Sequence, residues 1–379
     1  MKIIIIGNYR KDKQESMNRF ANMLYKGYKS KGLDVKKVRP IMILGMFFNE
    51  TNKGLGKWFS YIDKYFFTVI YLFFIRVRNI FIKDIFYHIA DHSNAPYIFC
   101  FPKKKTVITC HDVLAIRGAF GDKSAYCDST KAGAVLQYII LKSISRAKFI
   151  GAVSQATLDD LLALNININE LKTRFWNVVY LGYNASFRRP DDAFIQTELK
   201  KAGLEKSVPY LLHVGSDLKR KNRAMLIKML IELGDDFKGN VIFAGKPLEN
   251  SVLELIHKNN LSDRVIVVVK PNHNLLISLY AGCEAFVFPS WSEGFGWPVI
   301  EAQVCGAPVI ASDIQPMPEI AGNGAIYASP DSAISFADAY RKLKNSTQRL
   351  ELIKLGFINT DRFSTNRMTA EYLKFFQKQ

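Results

Sequence analysis

The sequence predicts an α/β protein with two doubly wound domains, each built around a parallel sheet. The chain has 379 residues, which exceeds the roughly 250–300 residues at which a single hydrophobic core stops growing. Its hydrophobic content of 49% and charged content of 23% are typical of a globular protein. Short apolar runs alternate with amphipathic segments, which is the pattern of repeated strand–helix units.

In the first half of the chain, apolar runs of four or five residues predict strands, and longer amphipathic stretches predict helices. Ser154 is predicted to cap the helix that follows it, because a serine oxygen accepts a hydrogen bond from a free backbone N–H. The predicted strands are residues 2–6, 35–38, 86–90, 106–110, 149–153 and 177–181, and the predicted helices are 17–31 and 156–164.

Residues 187–192 have the composition of an interdomain connection, and the same rhythm restarts beyond them. The simplest assembly is two Rossmann-like domains facing a central cleft. Residues 1–185 and 186–358 form the two predicted domains, and residues 359–379 form a predicted helix that packs back on the first. The second half has predicted strands at 210–214, 241–244, 265–269, 285–288 and 308–311, and predicted helices at 224–233, 251–258, 274–281, 298–305 and 369–379.

The net charge of +18 is concentrated in the first 110 residues, which hold 20 Lys and Arg against 7 Asp and Glu. Such a field favours anionic partners. No helix-turn-helix, zinc, RRM or KH signature accompanies it, so nucleic acid is not a predicted partner.

An aromatic run at residues 65–75 precedes Arg76, Arg78 and Lys83. The run is too short to cross a bilayer, which takes about 20 residues. A helix lying at an anionic membrane surface and a core helix with a solvated basic end both fit residues 65–83.

The cellular compartment is predicted from the start of the chain and from the cysteines. The opening MKIIIIG has too short an apolar run for a secretory signal. The five cysteines are odd in number and form no CxxC pair, so neither a disulfide framework nor a zinc site is indicated. We therefore expect the protein in the cytoplasm.

The most informative segment is residues 288–301, FPSWSEGFGWPVIE. A predicted strand is followed by a loop containing Gly294 and Gly296, and Pro298 then suits the first position of a helix. Free N–H groups and the helix dipole make such a junction favourable for anions. Carboxylates such as Glu293 and Glu301 can accept hydrogen bonds from both hydroxyls of a sugar diol. The segment therefore predicts a site for a sugar, a diphosphate and a ribose.

With its continuation to residue 313, this segment resembles the signature of glycosyltransferase family 4, whose members are retaining enzymes of the GT-B fold. Other resemblances follow in order along the chain: His111-Asp112 at a strand end, residues 152–155, residues 179–182, residues 213–222, and residues 317–322 onward.

The resemblance implies roles for individual residues. His111 and Glu293 are the predicted catalytic residues, with Glu293 also holding donor-sugar hydroxyls. Glu301 would hold the ribose diol. Lys221, with Arg220 or Arg223, would neutralise the departing diphosphate. The predicted donor-binding set is Gly215, Arg220, Lys221, Glu293, Gly294, Phe295, Gly296 and Glu301.

The family implies transfer from a UDP- or GDP-sugar to a glycan or lipid-linked acceptor, in bacterial cell-surface polysaccharide or lipopolysaccharide synthesis. The Asp-x-Asp pair of metal-dependent glycosyltransferases is missing from the sequence, so no metal and no other cofactor is expected. The inner face of the cytoplasmic membrane is a possible place of work. A glycan phosphorylase, a nucleotide-sugar epimerase and a non-catalytic basic binding protein are the alternatives.

Overall fold

A computed structural model describes residues 1–12, 14–51, 54–164, 174–183, 186–204 and 208–378. The chain divides into two compact units. The first comprises Met1–Asp122, Cys127–Gly182 and Thr365–Gln379, and the second comprises Lys123–Tyr126 and Tyr183–Ser364. The predicted first boundary falls on residue 185, which lies outside the described residues, and the predicted second boundary, at 358, lies inside a helix of the second unit.

The sheet of the first unit has six parallel strands in the order β2-β1-β3-β4-β5-β6. The apolar run at the start of the chain becomes β1, where Ile3, Ile4, Ile5 and Ile6 are all buried because the strand pairs on both sides. The strands are β1 Lys2–Ile6, β2 Asp34–Val38, β3 Ile85–Ile89, β4 Thr106–Cys110, β5 Phe149–Ala152 and β6 Phe175–Val178.

The helices of the first unit pack on the faces of this sheet. The predicted cap is confirmed, since the Ser154 side chain accepts a hydrogen bond from the N–H of Thr157. The helices are α1 Glu15–Ser30, α2 Gly54–Ile62, α3 Thr68–Arg78, α4 Leu114–Ala119, α5 Lys131–Ile144 and α6 Gln155–Ala163.

Helices α2 and α3 are joined by a π-helical turn at Asp63–Phe67, so the segment Gly54–Arg78 is one helical run of 25 residues. By length and composition alone this run could cross a membrane. Its mean hydropathy is 1.2, and only 22% of the apolar window is buried. The aromatic run of residues 65–75 is too short to cross a bilayer, but it is only part of this longer helical run.

The second unit has a parallel sheet with the order β12-β11-β10-β7-β8-β9. Successive residues of β10 face opposite sides: Ala285 and Val287 pack in one apolar cluster, and Phe286 and Phe288 in another. The strands are β7 Tyr210–Gly215, β8 Asn240–Gly245, β9 Val265–Val269, β10 Ala285–Phe288, β11 Val309–Ser312 and β12 Ile326–Ala328.

Helices cover both faces of this second sheet, as a doubly wound fold requires. The predicted fold class is therefore confirmed, while β12 and the two helices after it were not predicted. The helices are α7 Asp192–Lys201, α8 Ala224–Leu233, α9 Asn250–Lys258, α10 His273–Gly282, α11 Trp297–Val304, α12 Met317–Ala321, α13 Ala333–Leu343 and α14 Ser346–Thr360.

The C-terminal helix α15, Thr365–Gln377, belongs to the first unit. The hydroxyl of Tyr372 lies 2.7 Å from Oγ1 of Thr109 in β4. The Phe376 ring packs against Phe86 of β3 at 4.7 Å between centroids. Segment 359–379, predicted as a single helix, instead contains the end of α14, a turn and α15.

Candidate active site

The strand order of the second sheet reverses between β7 and β10, which are neighbours although two strands and three α-helices separate them in sequence. In open parallel sheets, ligands bind beyond the carboxyl ends of the strands at such a reversal. Gly215 ends β7, and the short 3₁₀ helix Lys219–Lys221 follows it. The loop 289–296 follows β10 and leads into α11. The predicted donor segments therefore meet at the position where this fold places a ligand.

Glu293 forms ion pairs with both cations that were predicted to bind the diphosphate. Its Oε2 lies 2.7 Å from Nη1 of Arg220, and its Oε1 lies 2.6 Å from Nζ of Lys221. The Glu293 side chain is only 7% exposed. The residues predicted to hold the sugar and the phosphates thus pair with each other.

Burial and the two cations act in opposite directions on the pKa of Glu293. Burial raises it, but Lys221 and Arg220 outweigh burial and lower the pKa to about 2. Burial also lowers the pKa of Lys221, and the attraction of Glu293 opposes that shift. Each charge is stabilised by its partner, so the site holds a carboxylate between two cations at neutral pH.

Hydrogen bonds join the two loops that carry this triad. Arg220 donates from Nη1 to the carbonyl of Ser292 at 2.8 Å, and its own carbonyl accepts from the N–H of Trp291 at 2.8 Å. Asn222 adopts a left-handed conformation with φ 50°, and its amide donates to the carbonyls of Pro289 and Pro330. These contacts hold the charged side chains in place before any ligand arrives.

The glycine-containing loop reaches helix α11 through Gly296, whose φ of 97° is in the left-handed region. A Cβ at this position would lie 2.6 Å from Cε of Met317, so the turn requires glycine. Gly294 precedes the buried Phe295, which packs edge-on against Phe363. Helix α11 begins at Trp297, so Pro298 occupies the second helical position instead of the predicted first.

Glu301 lies one turn into α11 and is buried. Its Oε2 accepts a hydrogen bond of 3.1 Å from the hydroxyl of Tyr280 in α10. Sequence analysis did not find Tyr280, because a tyrosine in an apolar helix gives no signal of a polar contact 21 residues away.

Arg223 does not join the triad, and its role as a diphosphate-binding cation stays a prediction. Its side chain is 1% exposed and forms an ion pair of 2.6 Å with Glu249. It also donates to the carbonyls of Lys246 and Pro247. These bonds fix the loop after β8.

His213 in β7 is a second residue that the sequence analysis left unassigned. Its Nδ1 lies 3.1 Å from the carbonyl of Val287. Burial lowers its pKa to about 3, so the imidazole is neutral and Nδ1 carries the proton. Among the described residues, no hydrogen-bond partner reaches its buried Nε2.

His111 belongs to the first unit, at the carboxyl end of β4. Its Nε2 lies 2.9 Å from the carbonyl of Ala90 and therefore donates the proton. Burial lowers the pKa of His111 despite the opposing charge of Asp91. A neutral imidazole that donates from Nε2 leaves the lone pair of Nδ1 to accept a hydrogen bond, for example from a hydroxyl.

Asp91 and Asn8 accompany His111 at the same edge of the first sheet. They follow β3 and β1, between which the order of that sheet reverses. Asn8 donates from Nδ2 to Oδ2 of Asp91 at 2.5 Å, and Ser93 donates from both its N–H and its hydroxyl. Burial raises the pKa of Asp91, but His92, His111 and these bonds lower it overall. Only the position of both residues directly after strands could have indicated them from sequence.

Within the described residues, no cluster of three or more His, Cys, Asp and Glu side chains is arranged to hold a metal ion. The triad at the second sheet combines two cations and one carboxylate, a set suited to binding anions and hydroxyls.

Residues 194–355, which contain this site, match the family model described as glycosyl transferases group 1. This part of the chain is therefore similar to glycosyl transferases group 1. The match includes every predicted donor-binding residue and does not include His111. The first unit lies outside it.

Curated relatives match part of the chain as well. The O-antigen chain mannosyltransferase RfbU of Salmonella typhimurium is 29% identical over 241 residues, covering 64% of this chain and 61% of RfbU. The aligned region is therefore shorter than two thirds of that relative.

Two solved structures match over the whole chain. Sucrose-phosphate synthase from Thermosynechococcus elongatus has a TM-score of 0.74 at 17% identity, covering 100% of this chain and 98% of that one. HepE of Anabaena, solved in complex with UDP and glucose, has a TM-score of 0.73 at 15% identity and full coverage of both chains. The chain has the GT-B fold that these proteins share.

Proposed function

We propose that the protein is a retaining glycosyltransferase that transfers a sugar from a UDP- or GDP-sugar to a glycan or lipid-linked acceptor. The observation that carries the proposal is the buried triad of Arg220, Lys221 and Glu293 at the strand reversal of the second sheet. The motif of residues 288–313, which resembles family 4, supports the retaining outcome.

Donor binding is proposed to exchange the partners within this triad. The diphosphate oxygens pair with Arg220 and Lys221, and the released Glu293 carboxylate accepts hydrogen bonds from the donor-sugar hydroxyls. Every buried charge then has a partner both before and after binding, which avoids the large cost of an unpaired buried ion. Negative charge grows on the diphosphate as the glycosidic bond breaks, so the fixed cations stabilise the transition state more than the ground state.

Glu301 is proposed to accept hydrogen bonds from the ribose hydroxyls, with the Tyr280 hydroxyl holding its carboxylate in position. His111 is proposed to accept a hydrogen bond from a substrate hydroxyl at Nδ1, since Nε2 is engaged with Ala90. No metal or other cofactor is assigned a part, because the two cations neutralise the diphosphate.

The name of RfbU suggests mannose as the transferred sugar and O-antigen synthesis as the setting. The test is a panel of GDP-mannose, UDP-glucose, UDP-N-acetylglucosamine and ADP-glucose, with transfer and slow hydrolysis both measured, each with and without EDTA. The proposal expects turnover of a UDP- or GDP-sugar that EDTA leaves intact. Turnover of none of these, with phosphorolysis of a glucan instead, would favour a phosphorylase.

An anionic membrane surface is proposed as a further partner of the first unit. The buried side of the run Gly54–Arg78 includes Leu72, while the opposite side carries exposed apolar residues at helical spacing. Arg76 and Arg78 lie in the last turn of the run, and Lys83 follows it. We call the exposed set the apolar stripe: Leu55, Trp58, Ile62, Phe66, Ile70, Phe73 and Val77.

This arrangement matches a helix that lies in the membrane interface better than a core helix. A core helix would bury its apolar residues, whereas Phe66, Phe73 and Phe74 are each more than half exposed. Apolar area and nearby cations together drive binding to acidic lipid. The proposed place of work is the inner face of the cytoplasmic membrane.

A further inference from the structure

A cavity of about 870 Å³ lies in the first unit, beside the amino ends of β4, β5 and β6. Its cationic lining comes from the segments that lead into these three strands and from the end of α5. We call it the basic cavity. The cations that line it are Lys103, Lys104, Lys142, Arg146, Lys148 and Arg174.

The basic cavity has no acidic residue in its lining. Over the described ranges of the chain, Lys103, Lys104, Lys142, Arg146 and Lys148 form no ion pair with a carboxylate. Six like charges around one space repel each other, and an anion in that space relieves the repulsion. The lining therefore favours an anionic ligand.

Aromatic rings support several of these cations. The Arg146 guanidinium lies 5.1 Å from the ring centroid of Phe99. Nζ of Lys148 lies 5.1 Å from the centroid of Phe149 and 5.5 Å from that of Phe175. These contacts hold the charged groups at the cavity without neutralising them.

The basic cavity is separate from the candidate active site. All strands of the first sheet are parallel, so their amino ends lie at one edge and their carboxyl ends at the other. His111 follows the carboxyl end of β4, whereas Lys103 and Lys104 precede its amino end. A strand of this length separates the two edges by roughly 15 Å. The cavity has no part in the proposed transfer chemistry.

Exposed apolar side chains border the same edge. Phe99 lines the cavity and is 57% exposed, and Phe81 is 95% exposed. Nζ of Lys105 donates to the carbonyl of Lys83 at 2.5 Å. This bond ties the segment that carries Phe81 to the segment that carries Lys103 and Lys104. A phosphate group bound in the cavity would thus lie close to apolar side chains that favour a lipid environment.

We propose that the basic cavity binds the phosphate headgroup of an anionic membrane lipid. The proposal rests on the membrane contact given under "Proposed function" and adds to it a defined headgroup site, distinct from the apolar stripe. It requires nothing of the sugar donor or acceptor.

The test compares two triple variants of the full chain that remove the same charge. One is K103Q/K104Q/R146Q in the cavity. The other is K228Q/K258Q/K354Q, at exposed positions on three helices of the second unit. Binding is measured by co-sedimentation with phosphatidylcholine vesicles with and without phosphatidylglycerol. At about 1 kcal/mol per cation, the cavity variant should bind acidic vesicles roughly 100-fold more weakly, and the matched control much less so.

An equal loss in both variants would show that net charge alone drives binding and would overturn the proposal. The same holds if the cavity variant binds as the wild type does while a variant of the apolar stripe, F66S/F73S, loses binding. A calorimetric arm with inorganic diphosphate and glycerol phosphate distinguishes the ligand's source. Tight binding of these soluble anions that K103Q/K104Q/R146Q loses, without binding of the wild type to acidic vesicles, would contradict a lipid headgroup.

The proposed transfer function is measured separately from vesicle binding. Nucleotide diphosphate affinity and nucleotide-sugar hydrolysis should be unchanged in the cavity variant. Its substitutions lie in the first unit, at the amino edge of the first sheet, whereas the predicted donor-binding residues lie in the second unit. Absence of glycosyl transfer in the wild type would therefore leave this test intact.

Discussion

The two basic regions of the molecule hold their cations in different ways. At the second sheet, Arg220 and Lys221 are largely buried and share one carboxylate, Glu293. At the amino edge of the first sheet, six cations line an open cavity without any acidic residue. Charge alone does not distinguish these regions, since both would attract a phosphate.

The difference follows from solvation. A buried cation without a partner loses its hydration and destabilises the fold, so the second unit supplies a resident carboxylate. The open cavity leaves Lys103, Lys104 and Lys142 exposed to water, and among the described residues no carboxylate pairs with them. The paired site is suited to a ligand that brings both anionic groups and hydroxyls. The basic cavity is suited to an anion alone.

The largest expected effect comes from removing the resident carboxylate. Glu293→Gln should lower kcat/KM for sugar transfer by about 100- to 1,000-fold, the range seen when one preorganised electrostatic contact is lost. The matched control is Asp160→Asn, which removes a surface ion pair with Arg117 and should leave kcat/KM within about two-fold. Full transfer by a folded Glu293→Gln variant would remove the triad from the mechanism.

A smaller effect is expected at the ribose contact. Glu301→Gln should weaken binding of the free nucleoside diphosphate about ten- to a hundred-fold, because a hydrogen bond to a charged group contributes about 1.5–3 kcal/mol. Tyr280→Phe, which removes the hydrogen bond to Glu301 and keeps the carboxylate itself, should weaken it less. Isothermal titration calorimetry measures both, and unchanged affinity in Glu301→Gln would refute the ribose assignment.

In the first unit, the triple change R76S/R78S/K83S should reduce binding to acidic vesicles at least about ten-fold. These residues flank the apolar stripe, and each cation near an anionic bilayer contributes about 1 kcal/mol. Raising the salt should weaken wild-type vesicle binding as well, since screening acts within about 10 Å at 0.1 M. Equal binding to neutral and acidic vesicles would return the run Gly54–Arg78 to a purely structural role.

The smallest effect concerns acid stability, which both units should share. Burial lowers the pKa of His88 in the first unit and of His213 in the second to about 3, against about 6.5 in an unfolded chain. The unfolded state therefore binds protons first, and stability that is complete above pH 6.5 is lost as the pH falls towards 3. Between pH 7 and pH 5 this amounts to about 2 kcal/mol per histidine.

Thermal unfolding followed by circular dichroism at pH 7 and pH 5 should show a fall of several degrees. His88→Gln keeps a group able to bond Tyr28 and Thr109 but cannot titrate, so it should reduce this fall. A pH dependence identical to that of the wild type would show that His88 is not the titrating group.

Much of the fold could be predicted from the sequence because buried strands are short and uniformly apolar. Runs such as 2–6 and 265–269 were placed at their observed bounds. The long helix Gly54–Arg78 was recognised only in part. Apolar residues lie on its buried side as well as in the exposed apolar stripe, so the run lacks the single apolar face by which an amphipathic helix is recognised. Charged residues such as Lys57 and Lys64 also interrupt it.

The sequence indicates which residues belong to the candidate site, but it does not indicate how they are arranged in space. Glu293 and Lys221 are far apart in sequence, and they meet only because β7 and β10 are neighbours. That adjacency is a property of the sheet order, which no local pattern encodes. The pairing of His213 with Val287 and the position of Asp91 beside Asn8 depend on strand adjacency in the same way.

Glu293 is proposed to compete with the donor diphosphate, because its carboxylate pairs with Arg220 and Lys221, the same cations that the diphosphate would bind. The most direct measurement is calorimetric titration of the wild type and Glu293→Gln with GDP and UDP, with thermal unfolding as the check of folding. Glu293 competes with the diphosphate, so the variant should bind the preferred nucleotide at least as tightly as the wild type although it has lost sugar transfer. A folded Glu293→Gln protein that binds neither nucleotide, or binds the preferred one ten-fold more weakly, would contradict this account.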